Sequence, residues 1–296
     1  MVSVIVCTFN REKYLITCLE HLAKQSCDPQ DFEIVIVNNN SPDQTDKICQ
    51  KFIEQHPHLQ ITYHVELQQG HTYSRNAGIE KSKGEILAFI DDDAFPDAHF
   101  INHISASFMD PETMAIGGKI APIYEDGSGP KWMSTYLLPL VSALDMGNTT
   151  KTFNRSKHPI GANMAFRKSV FDQLGLFDTN LGRRGTDGLE GGDEKELFIR
   201  MKRADMKIMY QPKVFVEHII GEKRITPAYV RGLAIGVGSS EKKRLKGIQL
   251  VNKWISEGIK FGGSVILSIG YLICGRPQAA WMLIQFRIWV AKGLLS

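Results

Sequence analysis

The sequence predicts an α/β protein with a doubly wound, Rossmann-like sheet, followed by a helical extension. Apolar strand patterns alternate with helical patterns over residues 1–115, which favours parallel strands joined by right-handed crossovers. The strand patterns end in small polar or acidic residues, at the edge where open α/β sheets bind ligands. The last 70 or so residues are instead basic and apolar, without further strand patterns.

The elements of the first half follow from hydrophobic periodicity. Short apolar, β-branched runs predict buried strands, and the amphipathic stretches between them predict helices. The predicted strands are residues 2–8, 32–37, 61–65 and 86–90, and the predicted helices between them are residues 10–25, 43–55 and 73–82.

The pattern loosens after residue 115. Residues 116–123 predict a strand, but residues 124–159 are rich in Gly, Pro, Thr and Asn and show little periodicity. A segment this long is typical of a lid, a binding loop or a disordered stretch. We interpret it as a mobile lid, which contains Trp132. Residues 167–174 and 192–204 then predict helices, and residues 207–216 predict a strand.

Composition indicates an ordinary globular protein. The 296 residues carry a net charge of +3 and can bury a sizeable core. The five cysteines are an odd number without a C-x-x-C pair, which favours free thiols in a reducing compartment and argues against a zinc site. A strand pattern starts at Val2, so we expect no signal peptide and a cytoplasmic protein.

Three adjacent carboxylates, Asp91, Asp92 and Asp93, directly follow the predicted strand 86–90. Neighbouring carboxylates repel one another and resist burial, and they are tolerated best around a cation. The triplet therefore suggests a divalent metal that holds a phosphate-bearing substrate. A solvated acidic turn explains the triplet equally well when it is considered alone.

A second acidic pair, Asp193 and Glu194, follows Gly191 and Gly192 at the start of a predicted helix. The helix dipole favours negative charge in a first turn, so a carboxylate there stays anionic, as a general base requires. Simple helix capping is the better explanation for this pair taken by itself.

Other residues at the predicted strand ends suit a nucleotide. Thr8, Asn10 and residues 38–41 are small and polar, and they could hold a base and ribose. Arg75 adds a cation, although it could equally be a surface charge of a helix. The chain has neither G-x-G-x-x-G nor G-x-x-x-x-G-K-[ST], so dinucleotide-binding and P-loop classes are excluded. Nothing suggests a nucleic-acid partner.

Taken together, the motifs resemble those of the family 2 inverting glycosyltransferases. The blocks occur in order: residues 2–11, 36–41, 74–78, 91–93, 161–164 and 192–194. The resemblance covers roughly residues 1–225 and implies a GT-A fold with a mixed sheet. It implies a nucleotide-sugar-binding half at residues 1–115 and an acceptor-binding, catalytic half at residues 116–225. Residues 226–296 form the helical extension, which we interpret as a membrane-associating or oligomer-contact segment.

The resemblance also implies roles for individual residues. Asp91 and Asp93 frame a D-x-D signature, and Asp93, Asp91 and His218 would bind Mn²⁺ or Mg²⁺. Glu194 is the preferred catalytic base and Asp193 the second choice. The residues assigned to the nucleotide sugar are Thr8, Asn10, Arg11, Asn38, Asn40, Arg75, Asp91, Asp92 and Arg224, and those assigned to the acceptor are Trp132, Gly161 and Asn163. The lid would then lie on the acceptor side, with Trp132 as a platform on which a sugar stacks.

One departure from the family concerns the base of the donor. Many relatives have Asp where this chain has Asn38, and that Asp contacts uracil. An amide both donates and accepts hydrogen bonds, so Asn38 could bind uracil or shift the preference to another base. We favour a UDP-sugar.

The predicted reaction is metal-dependent transfer of a sugar to a hydroxyl of a glycan or lipid-linked acceptor, in polysaccharide or glycoconjugate synthesis. Transfer to a polyprenyl-phosphate carrier is an alternative, as is a non-catalytic relative that binds nucleotide sugars or glycans. A nucleotidyltransferase is disfavoured because residues 8–11 lack the glycines of a triphosphate-binding loop.

The extension predicts peripheral contact with the cytoplasmic face of a membrane. Its cations greatly outnumber its acids after Glu241, and its apolar runs carry Trp254, Trp281 and Trp289. Neither run reaches the ~20 residues that a spanning helix needs. Segments of this kind suit the interface of an anionic membrane. The alternative is a pair of helices that packs on the catalytic core.

Overall fold

A computed structural model describes residues 1–153, 157–182 and 192–296. These residues form two compact units. The first unit comprises residues 1–122, 142–153, 157–182 and 192–219, and the second comprises residues 123–141 and 220–296. All five cysteines are free thiols, as expected.

A single mixed sheet organises the first unit. Its strands are Val2–Thr8 (β1), Phe32–Asn38 (β2), Ile61–Val65 (β3), Ile86–Asp91 (β4), Ala94–Pro96 (β5), Thr113–Tyr124 (β6), Lys151–Thr152 (β7), Asn163–Arg167 (β8) and Lys207–Ile220 (β9). The strand order is β3-β2-β1-β4-β8-β6-β9-β5, and β7 pairs with β9. The first four strands are parallel, whereas β8 runs antiparallel to both β4 and β6.

The helices of the first unit lie between these strands. They are Glu12–Ala23 (α1), Thr45–Gln55 (α2), His71–Lys81 (α3), Phe100–Ser107 (α4), Ser169–Leu174 (α5) and Asp193–Arg203 (α6). Alternation of parallel strands with α1, α2 and α3 confirms the doubly wound pattern predicted for the first half.

The register of the parallel strands gathers their carboxyl ends at one edge. Thr8 pairs with Asn38 across β1 and β2, and Cys7 pairs with Asp91 across β1 and β4. The polar residues that follow these strands therefore lie on a common edge, as the sequence predicts.

Strands β5, β7 and β8 and helix α4 are absent from the sequence-based prediction. Strand β5 has only three residues, too few to show a periodic pattern. Strand β8 is short and buried on both faces, so it has no alternating pattern to reveal it. It is β8 that introduces antiparallel pairing beside β4.

An aromatic cluster anchors α5 and α6 to the sheet. Phe89 of β4 and Phe166 of β8 meet edge to face at 5.9 Å, and Phe171 of α5 lies 5.3 Å from Phe166. Phe198 of α6 stacks on Phe166 at 5.4 Å. Aromatic pairs of this geometry contribute about 0.5–1.5 kcal/mol each beyond their buried area. The first turn of α6 is thereby held at a defined position.

The segment 124–159 has some local order. A 3-10 turn covers Leu138–Val141, Ile120 pairs with Leu144, and β7 pairs with β9. Residues 154–156, also part of the predicted lid, lie outside the described residues. The proposed lid motion stays a prediction.

Three helices dominate the second unit: Pro227–Arg244 (α7), Ile248–Ile273 (α8) and Pro277–Leu295 (α9), with a 3-10 turn at Glu222–Ile225. Gly238 of α7 and Gly293 of α9 face each other so closely that a Cβ on either would clash with the backbone of the other helix. Trp254 and Trp289 pack against the small core of Ala234, Val290 and Leu294. None of the described helices is long and apolar enough to cross a membrane.

Candidate active site

The predicted metal ligands come together at the carboxyl end of β4. Asp91 ends β4, Asp93 follows it, and pairing of Ala94 with His218 brings β9 alongside. Nε2 of His218 lies 2.9 Å from Oδ1 of Asp93. One ligand atom each from Asp91, Asp93 and His218 lies within 4.8 Å of the others. Residues separated by 125 positions thus form one group.

Arg11 neutralises part of this charge. Its Nη1 donates to Oδ2 of Asp93 at 2.7 Å, while its side chain remains 37% exposed. Asp92, which lies between Asp91 and Asp93 in the sequence, is buried. Burial first, and then the charge of Asp93, raises the pKa of Asp92 to about 8, with Arg11 acting in the opposite direction. The triplet carries more negative charge than Arg11 compensates, which is the condition that a bound cation relieves.

The residues present fit Mn²⁺ or Mg²⁺. Two of the three donors are carboxylates, which both ions prefer, and the imidazole of His218 is fully buried with its ring held against Asp93. The hydroxyl of Thr8 at the end of β1 is buried and lies beside Asp92, whose pKa it acts to lower.

The second acidic pair is held by Arg75. Nη1 of Arg75 donates to Oδ2 of Asp193 at 2.7 Å, and Nη2 donates to Oε1 of Glu194 at 2.9 Å. Arg75 lies on α3 and is only 1% exposed, and Asp193 is buried as well. A planar guanidinium with several fixed donors suits two carboxylates at once. Among the described residues, Arg75 donates the one side-chain hydrogen bond to the carboxylate of Glu194.

Gly161 leaves the space that this contact needs. A Cβ at residue 161 would clash with Nη2 of Arg75 and Oε1 of Glu194 together. Any side chain larger than hydrogen would push the guanidinium away from the carboxylates. The sequence assigned Gly161 to the acceptor, and the structure shows why the backbone passes here without a side chain.

The two acids of α6 differ in electrostatics. Burial raises the pKa of Glu194, and the charge of Asp193 adds to the effect, while Arg75 opposes it. Burial also works to raise the pKa of Asp193, but the charges of Arg75 and His71, together with hydrogen bonds from backbone amides, outweigh burial and the net shift is downward. Glu194 is also the more exposed side chain, at 24% against 5%. Of the two, Glu194 therefore has the proton affinity and the access that suit a base.

The two acidic clusters act on each other. The negative charge of Asp91 contributes to the raised pKa of Glu194, and it also acts on Arg75. A nearby charge shifts a pKa in this way, and burial weakens the screening by solvent. Both clusters therefore belong to one site in the first unit.

The strand-end asparagines have structural roles of their own. Asn10 and Asn40 adopt left-handed backbone conformations, with φ of 54° and 55°, which asparagine tolerates better than most residues. Asn38 donates from Nδ2 to the hydroxyl of Tyr63 at 2.9 Å and accepts from the amide of Ser41. Its contact with a base stays a prediction.

Asn39 was missed as a structural residue of this edge. Its Nδ2 donates to the carbonyls of Glu66 and Gln68, and its Oδ1 accepts from the amide of Gly70. It thus ties the end of β2 to the loop that precedes α3. The run of three asparagines was the available signal, but a sequence does not show which of them points inward.

Some predicted site residues have other partners in the structure. Arg75, assigned to the nucleotide, gives its guanidinium to Asp193 and Glu194, so its contact with donor stays a prediction. Asn163, assigned to the acceptor, is buried and donates from Nδ2 to the carbonyls of Lys119 and Val214, joining β6, β8 and β9. Arg224 lies in the 3-10 turn of the second unit, and Trp132 lies beside Trp281 there. Gly191 lies outside the described residues.

Comparison with known protein families gives an independent result. Residues 3–175 match the family described as glycosyl transferase family 2. Among curated proteins, the chain is 26% identical over 227 residues to the glucosyl-dolichyl phosphate glucuronosyltransferase of Haloferax volcanii, which covers 75% of this chain and 70% of that protein. It is 27% identical over 194 residues to glycosyltransferase AglE of the same organism, covering 65% of this chain and 58% of that protein.

Solved structures show the same fold. The mannosyltransferase PcManGT from Pyrobaculum calidifontis, in complex with GDP-Man and Mn²⁺, matches 99% of this chain and 86% of its own with a TM-score of 0.68 and 19% identity. TarS residues 1–349 from S. aureus match with a TM-score of 0.56 and 20% identity, over 80% of this chain but 65% of that fragment. The expected GT-A fold is confirmed.

The family match covers more than half of the chain and includes the strand ends, the Asp91–Asp93 triplet and Gly161. The enzyme class expected from the sequence is therefore confirmed: the chain belongs to glycosyl transferase family 2.

Proposed function

We propose that the protein is an inverting glycosyltransferase that moves a sugar from a nucleoside-diphosphate sugar, with UDP favoured, to a hydroxyl of a lipid-linked acceptor. One observation carries the proposal. A carboxylate with raised pKa, Glu194, shares a site with a separate group of metal-type ligands, Asp91, Asp93 and His218. A base and a cation site that are distinct but coupled are what a single displacement of a diphosphate requires.

The acceptor class is supported by the names of relatives. The relative from Haloferax volcanii is named a glucosyl-dolichyl phosphate glucuronosyltransferase. A protein of Methanococcus voltae that is 26% identical to this chain is named for a dolichyl N-acetyl-α-D-glucosaminyl phosphate acceptor. Both acceptor names describe a sugar already joined to a lipid phosphate. We therefore favour a hydroxyl of such a lipid-linked sugar over a growing soluble glycan or the bare polyprenyl phosphate.

Each group at the site has a defined part in the reaction. Glu194 removes the proton from the acceptor hydroxyl, whose oxygen forms a bond to the anomeric carbon of the donor sugar. The bond from that carbon to the diphosphate oxygen breaks on the opposite face, and its electron pair leaves with the diphosphate. One displacement inverts the configuration at the anomeric carbon.

Arg75 and Asp193 position the base. The buried guanidinium fixes Oε1 of Glu194, and Asp193 fixes the guanidinium. Oε2 of Glu194 is left to face the acceptor hydroxyl. Asp91, Asp93 and His218 would hold the divalent ion, which supplies Lewis-acid stabilisation of the departing diphosphate. Arg11 and Arg224 are proposed to offset the remaining charge.

A donor and acceptor screen tests this function. Purified protein with Mn²⁺ is incubated with several sugar nucleotides, each with and without lipid-linked sugars, and released nucleoside diphosphate is measured. We expect release that depends on both the metal and a lipid-linked sugar. If the protein binds a nucleotide sugar but shows no turnover with any donor and acceptor in the screen, the result would instead support a non-catalytic protein that binds nucleotide sugars or glycans.

We further propose that α8 docks on an anionic membrane, where a lipid-linked acceptor resides. A stripe of apolar residues at helical spacing faces outward along the whole helix: Ile248, Val251, Ile255, Ile259, Ile266, Ile269 and Ile273. No charged residue interrupts this stripe, which extends about 38 Å at 1.5 Å per residue. Lys242, Lys243, Arg244 and Lys246 immediately precede it and suit anionic headgroups.

The cations within the helix pair serve a different purpose. Lys253, Lys260 and Arg287 all pair with the buried Glu257. Arg287 of α9 thereby joins Glu257 of α8, whereas Lys253 and Lys260 pair with Glu257 within α8. We therefore favour the basic cluster before α8 for headgroup contact. Trp281 is 65% exposed and suits the interface, whereas Trp254 and Trp289 pack inside the second unit.

Flotation with liposomes tests the docking. Full-length protein should float with anionic vesicles, and less so in high salt. Ile259→Asp places a charge in the stripe and should abolish flotation. Leu67→Asp is the matched control, because Leu67 is also 72% exposed but lies in the first unit. Equal flotation of both variants would overturn the role of the stripe.

A further inference from the structure

An apolar recess lies in the second unit. It has a volume of about 360 Å³ and is lined by Trp132, Pro277, Gln278, Trp281 and Met282. This volume is within the range of small-molecule sites, and Gln278 contributes the only polar side chain of the lining. Trp281 is 65% exposed, which is unusual for a tryptophan, because tryptophan side chains are highly buried on average.

Local structure builds this recess from two segments. Pro277 starts α9, and Ala279, Ala280, Met282 and Leu283 are buried, so the helix turns Trp281 outward. Two consecutive turns hold the other wall, since Met133 donates its amide to the carbonyl of Pro130 and Leu137 donates to that of Ser134.

Arg276 fastens the two walls together. Its Nη2 donates to the carbonyl of Met133 at 2.8 Å, and its guanidinium lies 5.2 Å from the ring centre of Tyr271. Trp132 is thereby kept beside the first turn of α9.

Positive charge stands beside the recess. Arg276 directly precedes Pro277, and the exposed Lys131 directly precedes Trp132. Leu272 and Ile273, the exposed apolar residues at the end of α8, come only a few residues before Pro277 in the sequence. An apolar cavity with cations at its border matches a ligand that joins a hydrocarbon chain to an anionic group.

A sugar fits the lining poorly. Its several hydroxyl groups would find one amide side chain and two indole N–H donors as partners, and hydroxyls that are buried without a partner are costly. A hydrocarbon chain loses nothing by leaving water and gains contact with two indole rings and a thioether. This chemistry differs from the sugar platform that the sequence assigned to Trp132.

We propose that this recess binds the isoprenoid chain of the lipid-linked acceptor, close to its phosphate, which Arg276 and Lys131 attract. The identity of the chain rests on the lipid-linked acceptor of the proposed function. The α8 stripe would contact the bilayer in general, whereas the recess would select one lipid from it.

Binding of simple probes tests the recess without any need for turnover. We would titrate full-length protein by calorimetry with geranylgeranyl phosphate, with isopentenyl phosphate and with inorganic phosphate. The C20 probe should bind at least about tenfold more tightly than the C5 probe, since each buried CH₂ contributes ~0.8 kcal/mol. Trp281→Ala should remove most of that advantage, and Trp281→Phe should retain part of it.

Two controls separate the recess from other apolar surface. Ile259→Asp, which lies on the α8 stripe, should leave the C20 advantage intact although it abolishes flotation. A diazirine-bearing farnesyl phosphate should crosslink to peptides that contain Trp132 or Trp281. Equal binding of dioctanoyl phosphatidic acid, or an unchanged C20 advantage in Trp281→Ala, would overturn the inference.

The same measurements distinguish failure of the recess from failure of the function. If the protein transfers sugar to lipid-linked acceptors and Trp281→Ala binds the C20 probe normally, the recess is wrong and the function stands. If the C20 probe binds through Trp281 but no sugar reaches any lipid-linked acceptor, the recess stands and the proposed reaction is wrong.

Discussion

The two acidic clusters of the first unit have similar ingredients but different counter-ions. In each, buried adjacent carboxylates meet one arginine: Arg11 contacts Asp93, and Arg75 contacts Asp193 and Glu194. Arg11 is 37% exposed and makes one contact, whereas the Arg75 side chain is 2% exposed and makes two. A partly exposed guanidinium can move away so that a metal ion binds its carboxylate, whereas a buried guanidinium held by two carboxylates stays in place.

This difference teaches how one kind of residue supports two kinds of chemistry. An exchangeable counter-ion leaves Asp91 and Asp93 available as ligands, together with His218. A permanent counter-ion keeps Asp193 charged and fixes the orientation of Glu194 without neutralising it fully. The distinction depends on burial of the arginine more than on the acids themselves.

The largest expected effect is at the base. Glu194→Gln keeps the shape of the side chain and its contact with Arg75 but removes its basicity, so turnover should fall about 10²–10⁴-fold. Donor affinity should stay nearly constant. Release of nucleoside diphosphate and calorimetry measure the two quantities.

Asp193→Asn is the matched control for this change. We expect it to lose far less turnover, because Asp193 acts through Arg75. If Asp193→Asn is crippled while Glu194→Gln is active, the roles of the two acids must be exchanged, and the comparison between a fixed and a working carboxylate fails.

A metal-ligand variant tests the other cluster. Asp93→Ala removes the acid that contacts both His218 and Arg11, so donor affinity in Mn²⁺ should fall by more than the 10–100-fold that loss of an outer partner of a metal site typically costs. Calorimetry with and without the ion measures it. Asp97→Ala serves as control, since that carboxylate accepts from the amide of His99 outside the ligand group. Unchanged metal-dependent binding in Asp93→Ala would contradict the assignment.

The contact of Arg75 with Asp193 and Glu194, here called the arginine clamp, can be disturbed by a substitution at Gly161. Gly161→Ala inserts a methyl group against Arg75 and Glu194, and overpacking of this kind costs about 1–3 kcal/mol of unfolding free energy. Gly258→Ala is the control: no heavy atom lies within 4 Å of its added Cβ, and removal of a mid-helix glycine contributes about 0.5–1 kcal/mol. Chemical denaturation of both variants gives the two values. Equal stability of Gly161→Ala and the wild type would show that the arginine clamp is loose.

The smallest expected effect is a shift in pH dependence. Glu194 must be deprotonated to act as a base, so activity falls as pH falls through its raised pKa. Since the charge of Asp193 helps to raise that pKa, Asp193→Asn should lower it and move the acid limb of kcat/KM to lower pH. Glu196→Gln, on the same helix and paired with Arg200, should leave the limb in place. An acid limb that moves upward in Asp193→Asn would contradict the electrostatic coupling.

Much of the fold could be predicted from the sequence, because β1 to β4 and α1 to α3 have strong local periodicity. The antiparallel strand β8 could not be inferred from its own residues. Four of its five residues are buried, on both faces, and the direction of the strand depends on pairing with β4 and β6. Metal-type ligands and the acidic pair could be proposed from motifs, since their residues are unusual at those positions.

The sequence by itself determined the doubly wound core, the acidic strand end and the family, because apolar period and adjacent carboxylates are local properties of the chain. Only the tertiary structure decided which cation each acid meets. Arg75 and Asp193 are 118 positions apart, and Asp93 and His218 are 125 apart. Local preference does not encode such pairings: they result from strand register and from the close approach at Gly161. The same holds for the recess at Trp132 and Trp281, which exists because Arg276 joins two segments that are distant in the chain.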